Sequence, residues 1–254
     1  MNGFRADSGI FTVTGADGIR IGVIGREANT VDYSKTDEAR RDEKALLGSR
    51  TGIPEEHIIM LEQVHQDHIV IIDNPPKENR LAHAPADGMI TNIPGICLVI
   101  RTADCVPVYA YDPVRKILGA AHSGWKGCHL EIARKLIDMM AEQFHCTRGD
   151  IEVFILPSIG PHSYIVGEDV ASLFPDSVVE RREQLYLDLW RSVEESLLRG
   201  GIRDEHIYTT GICTLQKSAD FYSYRNGDSG RNLNFAFMLP RRAGGGISGF
   251  SLKE

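Results

Sequence analysis

The hydrophobic and polar positions of the chain follow two periods, which separate predicted strands from predicted helices. Residues 9–25 alternate loosely between apolar and polar, with glycines at the turns, as is typical of a hairpin. Continuous apolar runs indicate strands buried on both faces at ICLVIRT (96–102), VPVYAYD (106–112) and KILGAAH (116–122). Shorter apolar runs predict further strands at 57–65, 68–74, 88–91, 151–157 and 206–211.

Helical periodicity appears in three other segments. TDEARRDEKALLGSR (36–50) has the pattern of a polar-faced helix, and DLWRSVEESLLRGG (188–201) is a helical stretch that stops at glycine. Between Cys128 and Cys146 the apolar residues fall on one face and opposite charges pair at i,i+4, which predicts one long amphipathic helix. The apolar face consists of Leu130, Ala133, Ile137, Met140 and Phe144.

The order of these elements predicts the fold class. Strands and helices are mixed along the chain, but they do not alternate regularly as βαβ units. PPKENRLAHAPADG (75–88) is predicted to be a loop, and FYSYRNGDSGRNLNFAFML (221–239) a final hairpin that turns near Asn226–Gly230. We therefore expect an α+β fold with mixed or antiparallel sheets. No repeat or low-complexity linker divides the chain, so we expect a single domain over residues 1–254.

Composition and charge narrow the range of functions. The 254 residues are 42% hydrophobic, which is enough for a sizeable core. The net charge of −7 argues against a nucleic-acid or anionic-membrane partner, because phosphate binding usually needs a basic face. No apolar run approaches the roughly 18–20 residues of a membrane span, and the N-terminal segment lacks a signal-peptide pattern. We therefore expect a cytoplasmic protein.

The distribution of the cysteines also agrees with a cytoplasmic location. Five cysteines are scattered without a CxxC motif, which indicates a reducing compartment. Three of them, Cys97, Cys128 and Cys146, are expected to be small buried hydrophobic residues. Any special cysteine would act as a metal ligand or as a nucleophile.

Cys105 is such a cysteine, because a hairpin brings it near a histidine. If 106–112 and 116–122 pair around Asp112–Lys116, Pro107 lies opposite His122 and Cys105 lies opposite Gly124. Cys105 and His122 are then diagonal neighbours, about 7–8 Å apart at the backbone, at the open end of the hairpin. Their side chains can meet on one ion or share a proton.

Two chemistries fit this pair. Thiolate and imidazole are preferred ligands of Zn²⁺, and a catalytic zinc keeps three protein ligands and one open position. The third ligand would be His65, at the end of another strand-like run, with His68 as the alternative. In the second chemistry, His122 deprotonates Cys105 and the two form a nucleophile pair.

The residues that flank the pair strengthen the case for a site. Asp104 provides a carboxylate beside Cys105. Residues 123–127 (SGWKG) form a turn that leads into a helix, where backbone N–H groups and the charge of Lys126 favour an anion.

A set of motifs resembles a known family. QVHQDHIV, ADGMIT, TADCVPVYAYDP, AAHSGWKG, SIGPHSYIVG and FYSYRNGDSGR occur in this order, over about residues 40–240. Together they resemble the YfiH/laccase-domain family of purine nucleoside phosphorylases, once labelled polyphenol oxidases. The pair TADCVP and AAHSGWKG is the most specific part of the resemblance.

The resemblance implies a fold, an activity and a metal site. The implied fold is a sandwich of two mixed β-sheets flanked by helices, shared with toxin deamidases that use a Cys-His pair. The implied activity is phosphorolysis of adenosine, inosine, guanosine and methylthioadenosine, with adenosine deamination. The implied metal is Zn²⁺ or Cu²⁺, and the motifs carry its ligands onto His65, Cys105 and His122.

The chain departs from the family pattern around these ligands. Gln66 replaces the usual glycine after QVH, and Lys126 replaces an arginine, which keeps the charge but loses bidentate hydrogen bonding. Leu156 replaces a glycine, Ile165 a glutamate and Asn226 an arginine. The three metal ligands are intact, so the departures concern the rim of the pocket.

The expected activities assign roles to further residues. In deamination, a carboxylate shuttles protons, and Asp104 is our candidate. In phosphorolysis, cationic groups hold the phosphate that attacks the ribose C1′ atom, and the candidates are Lys126, Arg101 and Arg225. Tyr164 and Tyr224 are candidates for stacking on the purine. The expected partners are purine nucleosides and phosphate, and the oligomeric state is left open.

Three alternatives belong to other functional classes. The first is a Cys-His hydrolase or deamidase. The second is a copper-dependent polyphenol oxidase, although the nine histidines include none of the HxH motifs that multicopper centres use. The third is a binding module with a structural metal, which requires a fourth ligand such as His68 or Cys128.

Overall fold

The computed structural model describes residues 4–13, 17–34, 36–73 and 84–239. Its strands are β1 Phe4–Asp7, β2 Ile10–Val13, β3 Ile19–Ile24, β4 Ile58–Met60, β5 Ile69–Ile72, β6 Gly88–Thr91, β7 Cys97–Thr102, β8 Val106–Asp112, β9 Ile117–Ser123, β10 Glu152–Ile155, β11 Ile165–Val166, β12 Val178–Arg181, β13 Gln184–Leu187, β14 Ile207–Thr209 and β15 Asn232–Met238. Its α-helices are α1 Thr36–Thr51, α2 Trp125–His129, α3 Ile132–Phe144, α4 Glu168–Ala171 and α5 Leu189–Arg199. Short 3₁₀ turns cover Glu55–His57, Arg148–Asp150, Asp204–His206 and Tyr224–Asn226.

Two six-stranded sheets form the body of the fold. The first sheet has the order β1-β2-β3-β15-β7-β4, and the second has the order β14-β10-β8-β9-β6-β5. Both sheets are mixed, because β4 runs parallel to β7 in the first while β14 pairs with β10 and β5 with β6 in parallel in the second. This arrangement confirms the expected α+β sandwich of mixed sheets.

Side-chain alternation along the strands shows how the sheets stack. In β7, Leu98 and Ile100 belong to one core cluster, whereas Cys97 and Val99 belong to another. In β8, Tyr109 shares the cluster of Leu98. Because successive side chains of a strand point to opposite faces, the Leu98 face of the first sheet packs on the Tyr109 face of the second.

The outer faces of the two sheets are covered by helices. Leu47 of α1 packs with the outward residues of β4, β7 and β15. On the other side, Leu136 of α3 and Val193 of α5 pack with Val108 and its outward neighbours in the second sheet. The layers are therefore helix, sheet, sheet and helix, and the strands are apolar on both faces, as their continuous apolar runs predicted.

The β8–β9 hairpin has the predicted register. Asp112 lies opposite Ile117, and Pro107 lies opposite His122. The chain leaves the first sheet at Thr102, the end of β7, and enters the second at Val106, the start of β8. Cys105 lies in this crossing, beside the open end of the hairpin.

The helix predicted between Cys128 and Cys146 is confirmed over Ile132–Phe144, but it is wrong as one unbroken helix, because α2 covers the first residues of the segment. Helix α2 ends at His129 and α3 begins at Ile132. Between them, Glu131 has a left-handed backbone with φ 56° and begins α3 as its N-cap. Its carboxylate is held by Arg134 and Arg199, so ion pairs stabilise the break that periodicity alone did not reveal.

The predicted final hairpin is also wrong. Only its second arm, β15, is a strand, and it pairs with β3 and β7. The preceding segment forms an irregular loop in which side chains form hydrogen bonds with the backbone N–H and C=O groups. The Asp228 carboxylate accepts the Ser223 N–H, and the Asn232 side chain bonds both the N–H and the C=O of Tyr222. A strand partner is therefore not needed.

Other predicted elements are confirmed with small shifts. The hairpin within 9–25 is the pair β2–β3, and helices α1 and α5 match the predicted 36–50 and 188–201. The strand predicted over 57–65 is shorter, because β4 ends at Met60 and is followed by a loop. Most of the predicted loop 75–88 lies outside the described residues. A small sheet of order β11-β13-β12 was not predicted. No helix in the described ranges is long and apolar enough to cross a membrane.

Candidate metal centre

The three predicted metal ligands meet in the structure. One ligand atom each from His65, Cys105 and His122 can be chosen so that all three atoms lie within 4.8 Å of one another. His122 is buried, Cys105 is partly buried and His65 is exposed. The group therefore has a protein side and a side that opens to solvent.

Each ligand is presented by a different part of the fold. His122 is a residue of β9, and Cys105 lies in the crossing between the two sheets. His65 lies in the loop after β4 and has a left-handed backbone, with φ 59°. The rings of His65 and His122 meet edge to face, with their centroids 4.7 Å apart. Non-glycine residues seldom adopt a left-handed backbone, so the conformation of His65 must be held by its surroundings.

Gly124 allows the ligands to approach the turn that follows β9. It is the N-cap of α2, with an extended backbone at φ −73°. A Cβ atom at this position would lie 2.9 Å from the Cys105 Sγ atom and 3.4 Å from the His65 Cδ2 atom. The first distance is too short for a carbon and a sulfur atom, so the motif SGWKG needs a glycine here.

Asp87 is a buried carboxylate that contacts the two histidine segments. Its Oδ1 atom lies 2.7 Å from the His122 Nδ1 atom. The backbone N–H groups of Val64, His65 and Gln66 donate to its two oxygens at 2.8–3.1 Å. Burial raises the pKa of Asp87, but the bonds from His122 and the backbone outweigh it and hold the pKa below its ordinary value.

The electrostatics of the cluster favour a thiolate beside an imidazolium when no metal is bound. Burial raises the pKa of the Cys105 thiol, but the charge and hydrogen bond of His122, together with those of His65, lower it to about 6. Burial lowers the pKa of His122, but the Cys105 charge and the bond to Asp87 raise it to about 9. The thiolate is the form of cysteine that binds metals and attacks carbonyls.

The donor set fits a transition metal such as zinc. Thiolate and imidazole are both preferred ligands of zinc, and a catalytic zinc takes three protein ligands and leaves the fourth position open. The alternative ligands lie outside the group formed by the described residues. Of these, Cys128 is buried with its Sγ atom 3.2 Å from the Ser123 hydroxyl, and burial raises its pKa to about 12. His68 is exposed.

A cleft of about 540 Å³ opens over the ligands. This volume lies within the range of about 300–1,000 Å³ that is usual for small-molecule sites. The residues that line the cleft are Arg40, Gln63, His65, Arg101, Thr102, Ala103, Asp104, Cys105, His122, Trp125, Ile159, Tyr164, Leu189, Tyr224, Arg225 and Arg231.

One wall of the cleft is cationic. Arg101 pairs with the buried Glu43 at 3.0 Å, and its backbone N–H and C=O are both bonded by the Gln63 side chain. Burial lowers the pKa of Arg40, and the positive charge of Arg101 lowers it further. Burial also raises the pKa of Glu43 despite the charge of Arg101. Two neighbouring guanidinium groups thus face the cleft with a buried carboxylate behind them.

A second part of the cleft wall is apolar and aromatic. Trp125, Ile159, Tyr164 and Leu189 belong to the core cluster on the outer face of the second sheet or pack against it. Arg225 lies over the Tyr164 ring at 4.7 Å and donates to a backbone carbonyl. Burial, with the Cys105 charge, raises the pKa of Tyr164 to about 12, so the phenol stays neutral. This wall offers flat, apolar surfaces to a ligand.

Of the predicted site residues other than the metal ligands and Asp104, four line the cleft and one does not. Arg101, Arg225, Tyr164 and Tyr224 line the cleft, and Tyr224 is 71% exposed. Lys126 is exposed over the Trp125 ring and is not one of the lining residues.

Asp104 lines the cleft but is engaged in structural contacts. It is buried and has a left-handed backbone with φ 94°. Its carboxylate accepts the Thr214 hydroxyl at 2.7 Å and the Arg225 N–H at 2.8 Å. The carboxylate therefore ties the crossing loop to the segment that carries Arg225.

Several site residues were not predicted from the sequence. Asp87 is not among the predicted site residues, although it lies in the motif ADGMIT, directly before an apolar strand. Arg40, Gln63 and Arg231 were missed because they come from a helix and two loops that meet only in the folded protein. Trp125 had a signal, since it lies inside SGWKG.

The departures from the family pattern lie around the site and in the core. Gln66 uses its backbone N–H to bond Asp87, and its side chain is exposed. Leu156 is buried in the core between the sheets. Ile165 is 38% exposed, and its carbonyl accepts the Arg225 side chain. The backbone N–H of Asn226 donates to the Ser223 hydroxyl.

The fold and the site together define a class of protein: an α+β sandwich with an open His-Cys-His site beneath a cleft. The chain belongs to the family described as multi-copper polyphenol oxidoreductase laccase, which matches residues 22–239.

The chain is also similar to named relatives and to solved structures. The chain is 33% identical to a purine nucleoside phosphorylase of Deinococcus radiodurans, over 85% of this chain and 83% of the relative. It is 34% identical to the purine nucleoside phosphorylase YlmD of Geobacillus stearothermophilus, over 74% and 75%. The crystal structure of YlmD from that organism superposes with a TM-score of 0.83 at 26% identity, over 94% of this chain and 100% of the other. The YfiH protein of Bacillus licheniformis, 24% identical, superposes with a TM-score of 0.84 over the same shares.

Proposed function

We propose that this chain is a metal-dependent purine nucleoside phosphorylase that acts on adenosine, inosine, guanosine and methylthioadenosine and also deaminates adenosine. The observation that carries the proposal is one cleft that is lined by a His-Cys-His group, by arginines and by aromatic side chains. The names of the relatives at 30–34% identity support it.

Phosphorolysis requires a held phosphate. Phosphate attacks the ribose C1′ atom, the bond from C1′ to the purine nitrogen breaks, and the products are the free base and ribose 1-phosphate. The phosphate must lose its water shell, so fixed cations have to replace it. Arg101 and Arg40 provide neighbouring charges for this purpose, and Arg225, which lies over the Tyr164 ring, offers a third. Arginine suits phosphate because its planar fork donates two hydrogen bonds at once.

The purine requires an apolar surface. Tyr164 and Trp125 offer ring faces in the cleft, and the exposed Tyr224 can close on the base from the rim. Aromatic stacking is tolerant of the exocyclic group, because every purine has the same π-face. This tolerance is consistent with the range of nucleosides proposed above.

The metal proposed for His65, Cys105 and His122 is Zn²⁺, with Cu²⁺ as the competitor that binds most N/S sites more tightly. Bound there, the metal would supply Lewis-acid chemistry at the floor of the cleft. The chain's own contribution is to hold Cys105 as a thiolate and to hold the rings of the two histidines towards the thiolate.

The proposal is tested by measuring metal content and turnover on one preparation. We expect about one zinc per chain, and release of hypoxanthine and ribose 1-phosphate from inosine only when phosphate is present. Sulfate in place of phosphate is the control for an ionic-strength effect. Hypoxanthine release without phosphate would identify a hydrolase instead, and a zinc-loaded protein that turns over none of the four nucleosides would contradict the proposal.

Arg40 provides a test of the cationic wall. Arg40→Gln is expected to raise the KM for phosphate about 10- to 100-fold, because a hydrogen bond to a charged group contributes roughly 1.5–3 kcal/mol. The KM for inosine should stay within about twofold, as expected for a residue that contacts only phosphate. Arg41→Gln is the matched control, since Arg41 is exposed on the same helix and does not line the cleft. Equal rises for phosphate and inosine would argue against a phosphate site at Arg40.

Asp104 was predicted to shuttle protons in deamination, and this role stays a prediction. Its two hydrogen bonds favour a positioning role, because losing them frees the segment of Arg225. We expect Asp104→Asn to lower kcat/KM for phosphorolysis and for deamination in parallel, by about 10- to 100-fold, the effect of one unsatisfied buried group. The two rates are measured on adenosine and inosine in the same preparation. A selective loss of deamination would support proton transfer by Asp104.

A second function is favoured by one observation. Cys105, His122 and Asp87 have the connectivity of a nucleophile, a base and an orienting carboxylate, as in Cys-His-Asp hydrolases. Such a hydrolase or deamidase works without metal, so a chelator separates the two functions. Activity that survives removal of zinc and is lost on alkylation of Cys105 would favour the hydrolase. Polyphenol oxidation has weaker support, because the described residues form one three-ligand group and a multicopper centre needs several.

A further inference from the structure

Asp87 is a carboxylate that contacts the segments of both histidine ligands. Its side chain is fully buried, and each oxygen accepts two hydrogen bonds. The Oδ1 atom contacts the His122 ring and the His65 N–H, whereas the Oδ2 atom accepts the N–H groups of Val64 and Gln66. Its backbone C=O also accepts the His122 N–H at 2.7 Å. Cys105 bonds both imidazole rings as a ligand, whereas Asp87 joins the His122 ring to the backbone of the His65 loop.

We propose that Asp87 is the positioning residue of the metal site, and that it fixes both histidine ligands as one unit. The inference rests on the metal site of the proposed function, but not on its substrates. At His122, the carboxylate occupies the Nδ1 atom and thereby keeps the proton on that nitrogen. The other ring nitrogen, Nε2, is then unprotonated and available as a ligand.

At His65, the same carboxylate acts on the backbone. Residues 64–66 direct three successive N–H groups at Asp87, which is how a chain segment wraps an anion. The left-handed backbone of His65 is unfavourable for a non-glycine residue, and the three bonds to a negative charge compensate for it. Without the carboxylate, the loop would relax and the imidazole of His65 would move away from Cys105.

Four donors on two oxygens explain why an amide cannot replace the carboxylate. An asparagine has one oxygen and one NH₂ group, and the NH₂ group would face donors in either orientation. With NH₂ at the Oδ2 position, it would meet the N–H groups of Val64 and Gln66. With NH₂ at the Oδ1 position, it would meet the His65 N–H and would favour the tautomer of His122 in which Nε2 carries the proton. Both orientations damage one histidine ligand.

The test compares Asp87→Asn with a matched buried aspartate. Asp112 is also fully buried and accepts two backbone N–H groups, those of Val114 and Arg115, but it lies at the closed end of the β8–β9 hairpin. Zinc affinity is measured by competition with a chelator. We expect Asp87→Asn to weaken zinc binding about 10- to 100-fold, the usual effect of removing a partner of a metal-bound histidine. Asp112→Asn should bind zinc as the wild type does, whatever its melting temperature.

Spectroscopy separates positioning from mere stabilisation. With Co²⁺ as the probe, Asp87→Asn should change the absorption bands that report coordination geometry, whereas Asp112→Asn should not. If Asp87→Asn does not fold, ¹⁵N NMR of the wild-type metal-free protein at high pH decides: neutral His122 should carry its proton on Nδ1. A proton on Nε2, or wild-type zinc affinity in Asp87→Asn, would overturn the proposal. None of these readouts involves nucleoside turnover, so a failure of the proposed reaction would leave them intact.

Discussion

Replacing Cys105 with alanine is expected to weaken zinc binding about 100- to 1,000-fold and to abolish nucleoside phosphorolysis. Structural zinc sites with four ligands bind with roughly 10–16 kcal/mol, so one ligand contributes on the order of 2.5–4 kcal/mol. The loss should be at the upper end here, because only three side chains form the group. Zinc content after dialysis and the rate of hypoxanthine release from inosine are the two measurements.

A second cysteine provides the control for this prediction. Cys97 is fully buried on the outer face of β7, among apolar side chains and away from the cleft. Cys97→Ala should lower stability by creating a small cavity, but it should keep its zinc and its turnover. If Cys105→Ala retains both zinc and turnover, the metal centre and the proposed function are both wrong.

The part of the site that could be predicted from sequence depends on local pairing. The β8–β9 hairpin has a four-residue connection, so the apolar runs fix its register and place Cys105 diagonal to His122. Local pairing could not place the third ligand, because His65 reaches Cys105 and His122 only when the two sheets pack together. Its assignment came from the QVH motif, and the spacing alone left His68 open.

The role of Asp87 could not be predicted from the sequence. Its four hydrogen bonds depend on the order β9-β6-β5 in the second sheet and on the loop after β4 in the first. Neither arrangement is encoded within one window of the sequence. The two wrong elements have a similar cause: Glu131 is fixed by Arg199, and the segment before β15 is fixed by side chains such as Asp228. In each case, distant or irregular contacts override a regular local pattern.

Substituting Gly124 with alanine is expected to weaken zinc binding about 10- to 100-fold through a single added methyl group. The backbone of Gly124 is extended, so alanine brings no conformational strain, and the whole effect comes from the contact of its Cβ atom with the Cys105 Sγ atom at 2.9 Å. Overpacking of this kind costs about 1–3 kcal/mol, and the zinc-bound thiolate has less room to move than the free one. The cost therefore falls mainly on the metal-bound state.

Gly149→Ala is the matched control for this substitution, because its Cβ atom would meet only the Arg203 side chain, at 3.7 Å. That variant should bind zinc with wild-type affinity, as measured by the same chelator competition. A Gly124→Ala protein with lower thermal stability but unchanged zinc affinity would show that the glycine serves the fold rather than the ligands. A selective loss of affinity at unchanged apo-protein stability would show the opposite. The close approach of the turn to Cys105 would then be part of the metal site, and Gly124 would be the residue that permits it.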